Sequence, residues 1–177
     1  MKIGYQGLVG CNSYRVIKKY YNDYLISNFL TFEDLFIALE NGHIDCFVLP
    51  VINNTTGDIK ENLELFNKYN KFKAIKEIPM EINHCLYGLI DSSLDSIKKI
   101  ISHKEALKQC SKFVSNYETE EIWNTAAGVN IIIENKDNNI ACIAPADIEN
   151  PNVKVLAENI SNIRNNKTYF FLVATTK

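Results

Sequence analysis

Short apolar runs alternate with stretches of helical period along the chain. Residues 3–6 predict a first strand, and residues 13–21 a helix that follows the Gly7-Leu8-Val9-Gly10 loop. A second helix is predicted over 32–40. Thr31 stands as its N-cap with Asp34 at capping-box spacing, and Asn41-Gly42 supplies a C-terminal stop. Residues 45–50 are apolar enough for a parallel strand buried on both faces. The polar loop Asn53-Asn54-Thr55-Thr56-Gly57 then leads into a helix over 59–68.

Two extended stretches between 73 and 89 flank Pro79, the expected crossing between two lobes. Ser92 with Asp95 predicts a short helix ending near Ile100; Ser102 with Glu105 predicts a capping box opening a helix over 104–115. Another helix is predicted from Asn124-Thr125 to about Glu134, followed by strands at 140–144, 153–156 and 168–174. This alternation argues for α/β layers with largely parallel sheets. Two similar halves with a final strand after the second predict that the C-terminus returns to the first. The expected lobes are residues 1–78 plus 160–177 and residues 79–159, within one catalytic domain.

Composition narrows the function. With 46% hydrophobic and 23% charged residues and a net charge of −2, the chain has no basic field for nucleic acid or an anionic membrane. No apolar run reaches the ~20 residues of a membrane span, and Met1-Lys2-Ile3-Gly4-Tyr5 reads as a strand rather than a secretory segment. A cytoplasmic protein is expected. Cys11, Cys46, Cys85, Cys110 and Cys142 are an odd, scattered set without a C-x-x-C pair, so structural thiols are expected and no disulfide framework or zinc site. His84, in an apolar stretch, reads as a hydrogen-bonded core residue, and His43 lies in a turn. His103 starts a helix, where a neutral ring is favoured. No nucleophile triad, Walker loop, dinucleotide fingerprint or metal motif is present, so neither metal nor cofactor is expected. Arg15 and Arg164 are the only arginines, so a carboxylate ligand must be held mostly without guanidinium groups.

Neutral donors can take that role. In open α/β sheets ligands lie beyond the carboxyl ends of strands. Gly10-Cys11-Asn12-Ser13, Asn53 to Gly57, Ser102 and Asn124-Thr125 place small polar residues at such strand-to-helix turns. Free N–H groups at a helix start favour an anion, and the same residue types are ordinary N-caps; the two roles are compatible.

Several blocks carry a resemblance. Tyr5-Gln6-Gly7-x-x-Gly10-x-Asn12-Ser13, Thr31-Phe32-Glu33-Asp34-Leu35-Phe36 and Asp45-x-x-Val48-Leu49-Pro50 resemble successive motifs of the prephenate dehydratase catalytic domain. So do Asn53 with Gly57, Ser102-His103-x-x-Ala106-Leu107-x-Gln109-Cys110, Thr125-Ala126-Ala127 and Asn166-x-Thr168-x-Phe170. The resemblance implies two α/β lobes of the periplasmic-binding-protein type II kind, with the active cleft between them. It also implies a cofactor-free lyase that removes carbon dioxide and water from prephenate to give phenylpyruvate in phenylalanine biosynthesis. Thr168 would stand at the leaving hydroxyl. Asn53, Ser102 and Gln109 would lie in the cleft with Tyr5, Asn12, Ser13 and Thr125, and a homodimer is expected.

The chain departs from the pattern. Tyr169 replaces an arginine, Ile52 a glutamate, Asn54 a serine and Asn162 an aspartate, and 145–153 lacks the usual Tyr-Gly-Leu. Loss of a guanidinium beside a dianion would weaken binding or change the substrate. With Lys177 soon after Phe170, no ACT regulatory domain is expected, nor phenylalanine feedback through one. A decarboxylase that does not dehydrate and a non-catalytic carboxylate-binding module are the alternatives; Thr168 favours dehydration.

Overall fold

The computed structural model describes residues 1–123, 125 and 127–175, and its backbone divides into two compact units, Met1–Glu81 with Asn166–Lys177 and Ile82–Asn165. In chain order the first unit holds β1 (Lys2–Gln6), α1 (Asn12–Tyr20), β2 (Leu25–Phe29), α2 (Phe32–Glu40), β3 (Cys46–Asn53), β4 (Gly57–Asp58), α3 (Lys60–Lys68) and β5 (Phe72–Glu81). The second holds β6 (His84–Leu89), β7 (Lys99–Ser102), α4 (Lys104–Gln109), α5 (Ser111–Val114), β8 (Glu118–Glu121), α6 (Ala127–Asn135), β9 (Ile140–Pro145) and β10 (Val153–Ala157). The last strand, β11 (Lys167–Thr175), belongs to the first.

The two sheets follow one plan. The first has strand order β2-β1-β3-β11-β5 with β4 on β3; the second, in the reverse sense, has β8-β7-β9-β6-β10. In each, three strands pair in parallel, and one strand runs against the other four: β11 in the first sheet and β6 in the second. That reversed strand is in each case the one that begins after the chain enters the unit from the other. Both sheets are therefore mixed, with four of five main strands sharing a direction.

Side-chain alternation builds the cores. In the first unit Leu35 and Phe36 of α2 pack on Phe47, Leu49 and Val51 of β3, with the Phe36 ring 4.8 Å from both Phe47 and Tyr69. In the second unit successive β9 residues serve opposite faces: Ala141 and Ile143 meet Leu107, Cys110 and Val114, whereas Cys142 and Ala144 meet Val129 and Ile132. A sheet covered on both faces explains why these strands read as unbroken apolar runs. Gly128 is required at the second contact, since a Cβ there would stand 2.9 Å from Cys142 Cβ.

Several expectations are corrected. The chain passes between units at Glu81/Ile82 and Asn165/Asn166, later than the expected 78/79 and 159/160, because β5 and β11 stay paired as far as Glu81 and Lys167. Pro79 lies within β5, an edge strand, the kind of strand in which proline is tolerated. Residues 99–102 form β7 rather than the end of a helix; the preceding turn is a 3₁₀ segment, Leu94–Ser96, capped by Ser93 with Ser96. Strands β2 and β8 were unmarked in the pattern, being exposed edges without a buried face. No helix among the described residues is long and apolar enough to cross a membrane.

Candidate functional site

In the first unit β1 and β3 run parallel and β11 antiparallel to β3, so the ends of β1 and β3 and the start of β11 share one edge. There Thr168 stands opposite Asn53. Asn53 Nδ2 donates to Thr168 Oγ1 at 2.9 Å and to Asn166 Oδ1 at 2.8 Å, and Thr55 Oγ1 donates to the same Asn166 oxygen at 3.2 Å. Asn53 Oδ1 accepts the backbone N–H groups of Thr55 at 2.9 Å and Thr56 at 3.1 Å. Because backbone N–H groups only donate, that turn fixes which way the Asn53 amide faces. Its NH₂ must point at Thr168, whose oxygen is then the acceptor. The single Thr168 hydrogen is not used in that bond and is given no acceptor among the described residues. Thr168 is buried, at 8% exposure.

The strand ends are tightly set. Between β3 and β11 the register shifts from Tyr169↔Ile52 to Phe170↔Pro50. The Val51 carbonyl accepts the Ile59 N–H at 2.8 Å, continuing the β3–β4 pairing, and the Pro50 carbonyl accepts from Asn62 Nδ2 at 2.8 Å. Beyond Asn53, Asn54 Oδ1 accepts the Lys167 N–H at 2.7 Å while the Asn54 N–H reaches the Lys167 carbonyl at 2.9 Å. The asparagine that replaces the family serine thus locks the start of β11. Tyr169 follows Thr168 in a strand, so a side chain at 169 projects from the face opposite the Thr168 hydroxyl.

At the neighbouring strand end, Gly7 and Gly10 take φ of 106° and 91°, a conformation that lets the β1–α1 loop turn back into the helix. No side-chain oxygen caps α1; Cys11 is its N-cap residue, and Arg15 Nη1 donates to Asn12 Oδ1 at 3.0 Å. Burial pushes the Cys11 thiol up, although the Tyr14 and Ser13 backbone amides and Arg15 act against it. Ser13 is buried, and Tyr5 lies in the core at 2% exposure, its ring 5.5 Å from Tyr14. Burial, with Cys11 and Tyr14 beside it, raises the Tyr5 phenol above its usual range.

In the second unit the picture of Ser102 changes. It ends β7 instead of capping a helix, is fully buried, and donates its one hydroxyl hydrogen to the Ile143 carbonyl at 3.0 Å. It therefore braces β7 against β9 and has no hydrogen left to donate to a carboxylate. His103 is the N-cap of α4, with Nδ1 accepting the Glu105 N–H at 3.3 Å. Gln109, half-buried, is the last residue of α4, whereas Ser102 lies before that helix, at the end of β7. Thr125 is half-buried, and its carbonyl accepts the Gly128 N–H at 3.3 Å. The expectations for Asn124 and Ala126 lie outside the described residues. His84 is buried with Nδ1 3.2 Å from Ser161 Oγ, the core role expected of it.

Direct hydrogen bonds thus join Asn53 to Thr168, and strand order brings Asn12 and Ser13 to the same sheet edge. Asn166 and Thr55 complete the network and were not predicted as site residues. The signal for Asn166 was its spacing two before Thr168, which puts both on one face of an extended chain.

A family model described as prephenate dehydratase matches residues 3–177. The chain is 30% identical over 171 residues to a prephenate dehydratase of Methanocaldococcus jannaschii, an alignment covering 93% of this chain and 61% of that relative. The crystal structure of the Staphylococcus aureus prephenate dehydratase superposes with a TM-score of 0.87 at 22% identity, covering 100% of this chain and 67% of that one. The substrate-binding domain of a putative molybdenum ABC transporter from Clostridium difficile superposes with a TM-score of 0.54 at 10% identity, covering 98% and 84%. These two likenesses concern the fold, which is α/β with two mixed sheets of the periplasmic-binding type.

Proposed function

This chain belongs to the prephenate dehydratase family, and from that premise we propose that it decarboxylates and dehydrates prephenate to phenylpyruvate, a step of phenylalanine biosynthesis. The bond from the ring to its carboxylate breaks, and carbon dioxide leaves. The electron pair enters the ring, and the ring hydroxyl departs with its own bonding pair as the ring becomes aromatic. Hydroxide is a poor leaving group, so a hydrogen bond or proton delivered to that oxygen lowers the barrier.

One observation carries the assignment to Thr168: the Asn53 amide, its orientation fixed by the Thr55 and Thr56 N–H groups, makes Thr168 Oγ1 an acceptor and leaves its hydrogen to donate. Asn12, the Ser13 N–H, Gln109 and Thr125 supply neutral donors for the two carboxylates, without a cofactor. Tyr5 contributes packing beneath them, and Ser102 braces its strand. Five unpaired cysteines, four of them buried, suit a reducing cytoplasmic setting. The assembly we propose is a homodimer.

Incubation with prephenate, followed by the phenylpyruvate enolate absorbance, tests this reading. Phenylpyruvate formation supports it. A non-aromatic decarboxylated product identifies a decarboxylase instead, and tight binding without turnover a binding module. Arogenate in a parallel assay decides the preferred substrate.

A further inference from the structure

The helical stretch after Ser102 is broken where Gln109 sits, and a distant side chain fills the break. Helix α4 ends at Gln109, Cys110 has φ −111° and ψ 17°, and α5 begins at Ser111. An unbroken helix would join the Lys112 N–H to the Lys108 carbonyl. Here both groups turn to Asn162, fifty residues along the chain: its Oδ1 accepts from Lys112 N at 3.0 Å, and its Nδ2 donates to the Lys108 carbonyl at 3.2 Å. The same Nδ2 donates to Ser111 Oγ at 2.8 Å, and the Asn162 N–H donates to the Gln109 carbonyl at 2.7 Å. One residue therefore satisfies groups on both sides of Gln109 and holds the backbone of Gln109 itself.

The chemistry at 162 is specific. An amide both donates and accepts, as a bridge between an N–H and a C=O requires. A carboxylate only accepts, so it could take the Lys112 N–H but would face the Lys108 carbonyl oxygen with another acceptor. Asparagine in place of the family aspartate thus matches the helix break of this chain.

We propose that Asn162 is the positioning residue for Gln109: by bridging the α4–α5 break it fixes the direction in which the Gln109 amide is presented to substrate. This rests on the reading of Gln109 as a substrate contact. Substrate binding then depends on Asn162 through Gln109, whereas the hydroxyl expulsion at Thr168 does not.

The test is a double-mutant cycle on steady-state kinetics with prephenate, using Asn162→Asp, Gln109→Ala and the double variant, each checked for folding by thermal melting. Asn162→Asp is expected to raise KM about fivefold, the equivalent of one lost hydrogen bond, with kcat changed little. In the Gln109→Ala background the same substitution should leave KM unchanged, because the group it positions is gone. Equal KM effects in both backgrounds, or a lowered melting temperature with wild-type KM, would overturn the proposal. If Gln109→Ala itself keeps the wild-type KM, the assignment of Gln109 fails and takes the proposal with it. If Gln109→Ala raises KM but Asn162→Asp does not, only the positioning role fails.

Discussion

Asn53→Asp changes one group of atoms and reverses the hydrogen-bond logic around Thr168. The Asn53 amide now gives one hydrogen to Thr168 Oγ1 and the other to Asn166 Oδ1. With the Thr55 and Thr56 N–H groups still claiming one carboxylate oxygen, the second oxygen must face both of those acceptors. Thr168 relieves the contact by turning its hydrogen inward. An O–H···O⁻ bond of this kind contributes about 1.5–3 kcal/mol, and it must break before the hydroxyl can serve the leaving group. The resulting loss in kcat is between about tenfold and a hundredfold. Asn53→Ala removes the orienting bond without reversing it and should cost only about fivefold. Initial rates of phenylpyruvate formation under saturating prephenate give the order: wild type, then Asn53→Ala, then Asn53→Asp. The aspartate deficit should also shrink as pH falls, because a protonated carboxyl regains a donor. An Asn53→Asp enzyme at least as fast as Asn53→Ala would refute the reasoning.

Other consequences concern the opposite sheet face, the packing and the buried thiols. Tyr169→Arg, which restores the family residue, should leave kcat/KM for prephenate within about twofold, since side chains alternate and position 169 faces away from Thr168; a large gain would place the guanidinium at the substrate after all. Gly128→Ala drives a methyl to 2.9 Å from Cys142 Cβ and should cost about 1–3 kcal/mol in chemical denaturation, with an unchanged midpoint counting against the close approach of α6 to β9. Burial pushes the Cys46 thiol up to about 11 and the Cys110 and Cys142 thiols up to about 12, from an ordinary 9.0. The folded chain therefore keeps these protons after the unfolded chain has lost them. Stability from this source is complete below about pH 9 and declines as pH rises toward the folded values. Thermal melts taken across that range should fall progressively, and a flat profile would contradict the burial of the thiols.

Much of this was legible in residue order. Thr31 and Asp34 form the predicted capping box, with Thr31 Oγ1 accepting the Asp34 N–H at 3.1 Å and Asp34 Oδ2 accepting the Thr31 N–H at 3.0 Å. The apolar run after Asp45 became the central strand β3. Local signals of that kind depend on neighbours in sequence. The edge strands β2 and β8 lack them, because pairing with β1 and β7 is decided by the sheet rather than by their own exposed side chains. Ser102 was misread for a related reason. A serine with glutamate three residues on has the spacing of a capping box, but the strand β9 beside it offered the Ile143 carbonyl, and His103 took the cap. The Asn53–Asn166–Thr168 network joins residues more than a hundred positions apart, so its donors and acceptors could be assigned only once β3 and β11 were paired.

The most direct measurement is kcat for prephenate with Thr168→Val set beside Thr168→Ser. Valine keeps the shape of the side chain without its hydroxyl, and serine keeps the hydroxyl. Serine should retain much of the wild-type rate. Valine should lose about 10²–10⁴-fold, the contribution of a positioned proton donor, while its melting temperature stays close to that of the wild type. A folded valine variant turning over at the wild-type rate would contradict the role given to Thr168.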